Sequence, residues 1–317
     1  MNEFGLSPLL KLSIFLSYIV YHSREEIELL NKHSKLRPDT PLEWVKIWED
    51  VKSMIHEDSI HIFDCEKYGI GDSKFIWVID MEDRLWVSFR GTKSASDILT
   101  DITTSKEKLI DVCYSPYYLK TCHNGTIPWV HHGFYSLFCI FKYELDHIYR
   151  KHISHCNHII FTGHSLGGAL SSLAAMCAYT SRYAPELKLT NITFGSPKIG
   201  NYGFAKIYNE WITDNVHYYN SRDPIPYFPT FPQQYYSIGN QIQVDINESR
   251  LRLFSIQNHN LLFYLRRIEK NFIKSANYIE LSKNQPCEIK QQDQQDQQDQ
   301  PCEIKQPDQQ DQQDQQE

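Results

Sequence analysis

The stretch Ile159-Ile160-Phe161-Thr162-Gly163-His164-Ser165-Leu166-Gly167-Gly168-Ala169-Leu170 places G-x-S-x-G between a strand-like run and a helix-like run. Upstream, His158 to Thr162 is short, β-branched and aromatic, as expected of a buried parallel strand. Downstream, Leu166 to Tyr179 is rich in Ala, Leu and Ser, lacks proline and can start a helix at once. Gly163 and Gly167 have no Cβ to clash where strand and helix meet at a sharp turn. A serine hydroxyl becomes an effective nucleophile when such a turn offers it to a base, with N–H groups nearby to receive an oxyanion. These flanks favour a nucleophile elbow at Ser165 over a glycine turn with an idle serine.

Working outward, Trp44, Ile47, Trp48, Val51 and Ile55 recur at helical spacing and predict an amphipathic helix over 42–56. Phe75 to Asp80 and Arg84 to Phe89 read as strands around the turn Met81-Glu82-Asp83. Phe134, Leu137, Phe138, Phe141, Leu145 and Ile148 mark a helix feeding the strand before Ser165. Beyond the elbow come a strand at Leu189 to Phe194, a helix from about Tyr202 to Trp211 and a strand at Val216 to Asn220. This alternation predicts an α/β fold with a mostly parallel sheet and helices on both faces. The apolar stripes themselves read as core.

In α/β-hydrolases a serine nucleophile is followed by its acid and then its base. Among the 14 histidines, only His259 follows Asp223, the strongest acid candidate; His217 comes too early. Gln257 to Tyr264 reads as a loop running into a helix, which suits a projecting base. Asp223 follows the Val216 to Asn220 strand, and Pro224 and Pro226 stiffen the next loop. It stands at a strand's carboxyl end, where α/β sites gather. Asp214, Asp245, Glu186, Glu210 and Glu248 are the other acids in the interval.

The 317 residues are long enough to bury a substantial core, and one domain over residues 1–283 is expected. The tail, 284–317, repeats Gln-Pro-Cys-Glu-Ile-Lys-Gln among Asp-Gln-Gln triplets and reads as disordered. Its nine acidic residues against Lys290 and Lys305 account for the whole net charge of −7. Residues 1–283 thus hold 30 acidic and 30 basic residues, with no bulk bias towards nucleic acid or an anionic membrane. None of the eight cysteines has metal spacing; Cys139 and Cys177 read as small apolar helix residues. Cys113 and Cys122 could pair, though two free thiols are preferred. Leu9 to Tyr21 is apolar but lacks a basic prelude and a small-residue cleavage site, so it reads as a packing helix before a signal or membrane-associated segment. Compartment stays open, with the cytoplasm favoured over a secreted or membrane-associated state. Three Asn-x-Ser/Thr sites, at Asn124, Asn191 and Asn247, do not decide it, and Asn191 falls in an expected buried strand.

Several segments together resemble the class 3 lipase family over approximately residues 10 to 270. They are Val87-Ser88-Phe89-Arg90-Gly91-Thr92, His132-Gly133-Phe134, Gly163 to Gly168, Thr193 to Asn201 and Ser221-Arg222-Asp223-Pro224-Ile225-Pro226. The resemblance implies an α/β-hydrolase with Ser165 as nucleophile, Asp223 as acid and His259 as base. It also implies an oxyanion hole from Thr92 and the backbone N–H of Leu166. After Thr92 the family places a lid, where Ile98, Leu99 and Ile102 could form an apolar face opening against lipid; a fixed amphipathic turn is the alternative. The implied activity is hydrolysis of acylglycerol esters without cofactor or metal, on a lipid or small ester substrate with transient contact at a lipid interface. A phospholipase is the second reading. A non-catalytic lipid-binding or scaffold protein is the alternative of another class. Oligomeric state is not indicated.

Overall fold

Successive apolar residues in the central strands leave on opposite faces, so a continuous apolar run feeds two cores at once. The computed structural model describes residues 6–68, 73–92, 106–108, 128–181, 187–229, 235–245 and 254–283. The chain divides into two compact units, residues 1–277 and 278–317, and the fold below is that of the first. The described helices are α1 (Pro8–Ile19), α2 (Arg24–His33), α3 (Leu42–Val51), α4 (His132–His152), α5 (Leu166–Thr180), α6 (Tyr202–Trp211) and α7 (Leu261–Lys283). The strands are β1 (His61–Asp64), β2 (Lys74–Ile79), β3 (Arg84–Phe89), β4 (Lys106–Lys108), β5 (Trp129–His131), β6 (His158–His164), β7 (Lys188–Phe194), β8 (Asp214–Tyr219) and β9 (Asn240–Gln243).

Seven strands form one sheet in the order β1-β2-β3-β6-β7-β8-β9, while β4 and β5 pair separately. The β1-β2 and β2-β3 pairs are antiparallel, and every later neighbour is parallel. This is the mostly parallel α/β sheet that the sequence predicts. Leu85, Val87, Phe89, Ile159 and Phe161 join a core with α4, α5 and α6. Trp86, Ile160, Ile192 and Phe194 face the other way, onto α1, α3 and the start of α7.

The apolar run Leu9 to Tyr21 becomes α1, and it is buried over most of its circumference. Its serines make that burial tolerable: Ser13 Oγ donates to Leu9 O, and Ser17 Oγ lies 2.9 Å from Thr162 Oγ1. Thr162 in turn donates to Ile192 O, so α1 is tied to β6 and β7 by a buried polar chain. Among the described residues no helix is long and apolar enough to cross a membrane.

Two expectations shift, and one strand was not anticipated. The 42–56 helix ends at Val51 and passes through a one-turn helix, Lys52–Met54, because Ile55 turns extended to bridge Asp80. Cys139 is exposed on α4, whereas Cys177 is buried in α5. Strand β9 carries one apolar residue, Ile242, which is exposed; its backbone ladder to β8 holds it, and that leaves no hydrophobic alternation to read. Asn191 lies fully buried in β7, bonded to Ser171, Ser172 and Tyr208. Cys113, Cys122, Asn124, Asn247 and the tail lie outside the described residues.

His217, too early in the chain to serve as base, is sealed inside β8 against Thr193 and Gly239, and burial pushes its pKa down to about 3. His158 in β6 is held at about 4, by burial first and then by Lys188 and Arg84. Both must stay neutral in the folded chain but protonate freely once unfolded, near the ordinary value of about 6.5. The unfolded state therefore binds more protons below that pH, and stability falls as pH falls. Each histidine adds a slope of at most about 1.4 kcal/mol per pH unit, until its own folded pKa is reached. Urea unfolding between pH 7.5 and 4.5 should show this decline, and His217→Asn should flatten it. A slope unaltered by the substitution would contradict the burial assigned to His217.

Candidate active site

Ser165 sits where β6 ends and α5 begins, with φ 62° and ψ −132°, a backbone state a serine adopts only under constraint. The constraint is crowding. A Cβ on Gly163 would stand 2.3 Å from the Gly167 backbone, and one on Gly167 would stand 2.1 Å from Phe89 O. Strand, helix and β3 therefore meet at backbone contact, and the chain reverses within one residue. Ser165 N–H donates to Phe194 O at 3.0 Å, and Gly168 N–H to Ser165 O at 2.9 Å, which fixes the elbow from both sides.

Residues 220–223 and 255–260 are brought together by backbone stitching. Ser255 N–H donates to Arg222 O, and Asn220 Nδ2 donates to Asn258 O. Asp245, one of the alternative acids, binds Ser221 through N–H and hydroxyl and so supports the loop. Asp214 lies at the start of β8, bonded to Thr190, and Glu210 is exposed on α6. Asp223, fully buried, lies 2.6 Å from His259 Nδ1 through Oδ2. A carboxylate oxygen only accepts, so Nδ1 carries the hydrogen and Nε2 is the acceptor of neutral His259.

Two contacts to this pair were not legible in the sequence. Tyr264, on α7, donates its hydroxyl to the same Asp223 Oδ2 at 2.7 Å and accepts Asn220 N–H at 3.2 Å. Burial, and then the charge of Asp223, push this phenol well above its usual pKa, so it stays a donor. His164 Nε2 lies 2.7 Å from His259 O and Nδ1 lies 3.0 Å from Tyr21 Oη. Burial, and secondly the neighbouring His259, push His164 well below the ordinary imidazole pKa. A neutral ring facing a carbonyl carries its hydrogen on Nε2, so His164 donates to His259 O and accepts from Tyr21. The signal for His164 was its place inside G-x-S-x-G; Tyr21 and Tyr264 carried none, because their partners are remote in sequence.

Ser165, His259 and Thr92 all line one groove of about 630 Å³. Among the described residues, Ser165 Oγ and His259 Nε2 are buried and make no hydrogen bond. Thr92 leaves β3 beside the elbow because Gly91 passes against it: a Cβ there would meet Tyr21 Oη at 2.2 Å and His164 O at 2.7 Å. Leu166 opens α5, so its N–H is one the helix cannot satisfy itself, and the helix N-terminus favours negative charge. Ile98, Leu99 and Ile102, proposed as lid residues, lie outside the described residues. Among the described residues no group of three or more His, Cys, Asp or Glu is placed to hold a metal.

Residues 86–233 match the family model described as Lipase (class 3). Over these residues the chain is similar to the class 3 lipase family. The match includes Ser165 and Asp223 but stops before His259, and it leaves α1 and α3 outside. Lipase ZK262.3 of Caenorhabditis elegans is 27% identical over 168 residues, covering 52% of this chain and 43% of its own. Phospholipase A1-II 5 of Oryza sativa subsp. indica is 33% identical over 97 residues, covering 29% of this chain and 21% of its own. The chain thus spans less than half the length of each of these relatives. The triacylglyceride lipase of Rhizomucor miehei superposes with a TM-score of 0.56 at 19% identity, over 79% of this chain and 91% of that one, which establishes the shared lipase fold.

Tyr264→Phe deletes one donor to Asp223 and strands the buried Asn220 N–H. It should lower unfolding free energy by about 1–3 kcal/mol, as measured by urea denaturation at pH 7.5; unchanged stability would mean the hydroxyl is replaceable by solvent.

Proposed function

We propose that this chain is a member of the class 3 lipase family and a serine carboxylic ester hydrolase acting on acylglycerols. The observation that carries the reading is the 2.6 Å contact between His259 Nδ1 and Asp223, beside a Ser165 in strained elbow geometry lining the same groove. In this mechanism His259 Nε2 takes the hydroxyl proton as Ser165 Oγ bonds to the ester carbonyl carbon. Leu166 N–H and Thr92 stabilise the oxyanion. Collapse of the tetrahedral intermediate breaks the C–O bond, and the proton on His259 passes to the departing alcohol. Water, deprotonated by the same nitrogen, then attacks the acyl-enzyme, and the carboxylic acid leaves with Ser165 restored.

The described lining of the groove is Tyr, Trp, Pro, Ile, Leu, Phe and uncharged polar residues together with His164 and His259; it contains no Lys, Arg, Asp or Glu. A neutral glyceride suits such a wall better than a phosphorylated headgroup, which gains most from fixed cations. The phospholipase A1 relative favours the second reading, hydrolysis of a glycerophospholipid.

Ser165→Ala should reduce turnover of p-nitrophenyl butyrate by about 10⁴-fold or more while leaving the unfolding transition in place. Turnover retained in the folded variant would refute the mechanism. A fluorophosphonate probe should label the wild-type chain at Ser165; a folded, unreactive chain would favour a non-catalytic lipid-binding protein. Purified lipids should rank triacylglycerol or diacylglycerol above phosphatidylcholine, and the reverse order would transfer the assignment to the phospholipase.

A further inference from the structure

The groove lined by Ser165 takes part of its wall from the N-terminal helices, outside both the elbow and the residues that match the family. Tyr18 at the end of α1 and Trp44 in α3 stack face to face, with ring centroids 4.2 Å apart and planes 7° from parallel. Behind them Phe15 and Trp48 stack at 5.0 Å. Pro41, exposed at the entrance to α3, extends the same surface. Trp44 is only 2% exposed, so it backs the wall while half-buried Tyr18 presents it. Ile256, Leu262 and Phe263, on either side of His259 in the sequence, line the same groove. Ile256 is 39% exposed, an apolar side chain left in water at the rim of a groove without fixed charge.

We infer that Tyr18, Pro41 and Trp44 form the seat of the substrate's acyl chain, and that this wall sets acyl-length preference. The inference rests on Ser165 being the nucleophile, since the carbonyl at Ser165 is what aligns a chain along the groove. The physical case has three parts. Alkyl chains gain from burial against aromatic faces roughly in proportion to the area covered, at about 25 cal/mol per Å². The stacked rings are already ordered by the core behind them, so little side-chain entropy is lost when a chain lands. Finally, the site has no cation or carboxylate among its described lining residues, which fits an acyl chain and disfavours a charged group. Tyr18 and Trp44 are therefore assigned as specificity-determining residues, with Trp44 acting through Tyr18.

Two soluble ester series test this with the full chain. One varies the acyl group, p-nitrophenyl acetate against p-nitrophenyl octanoate; the other fixes acetate and varies the alcohol, ethyl against octyl. Tyr18→Ala should lower the octanoate-to-acetate ratio of kcat/KM about tenfold or more. Because Tyr18 packs on Trp44 and the variant could lose fold, Ile256→Trp provides a second arm: it narrows the groove from the exposed rim and should lower the same ratio. Ratios in the acyl series unmoved by either folded variant would overturn the inference, as would a change confined to the alcohol series. A readout without turnover separates this from the hydrolase reading. In Ser165→Ala, laurate should quench tryptophan fluorescence, and Tyr18→Ala in that background should weaken its binding about tenfold. Laurate binding that depends on Tyr18, in a chain whose wild type hydrolyses no ester, would sink the hydrolase reading and keep the seat; hydrolysis with binding indifferent to Tyr18 would sink the seat and keep the hydrolase.

Discussion

The backbone contact between β6, α5 and β3 is the constraint on which the rest of the cleft depends. Gly163 packs on Gly167, and Gly167 packs on Phe89 O, at separations that leave no room for a Cβ. Because helix and strands approach so closely, the reversal between them is compressed into Ser165, which takes a positive φ. The same compression starts α5 immediately after Ser165, so the unpaired N–H end of the helix begins beside the hydroxyl. One packing condition thereby fixes both the position of the hydroxyl and the electrostatic environment beside it.

Around that point the fold assembles partners from three further regions of the chain. Gly91 carries β3 out against the elbow and delivers Thr92; the loop after β8 delivers Asp223; the turn before α7 delivers His259. Asp223 is fully buried, and its position is sustained because Oδ1 accepts Ile225 N–H while Oδ2 meets His259 and Tyr264. A buried carboxylate with this many donors is held in orientation as well as in place. His164 adds a second hold on the loop that carries His259, taken from within the elbow itself and braced by Tyr21.

The N-terminal helices have a part in the cleft that their composition conceals. Helix α1 packs on the sheet with its apolar surface buried; its last turn delivers Tyr18 to the groove, and the turn that follows it delivers Tyr21 to His164. Helix α3 packs on α1 and supplies Trp44. Packing that completes the second core thus also builds part of the groove's wall, so core stability and the shape of the groove share the same residues there.

The elbow, the alternation of strands and helices, and the order Ser165, Asp223, His259 were all determined by the sequence alone, because each is written in local chemistry: glycines at a close approach, β-branched runs and a proline-bounded loop. The helical span of Tyr202–Trp211 and the strand Arg84–Phe89 were likewise legible from periodicity. Tyr264, Tyr21 and the Tyr18–Trp44 wall were not, since a tyrosine or tryptophan on an apolar stripe gives the same pattern whether it meets core or cleft. Strand β9 escaped for a related reason: its order comes from backbone pairing with β8, to which its side chains add little. Only the tertiary structure decided which aromatic hydroxyl reaches Asp223 and which ring faces the groove. Those outcomes depend on contacts between residues 26 to 143 positions apart, which local sequence pattern does not encode.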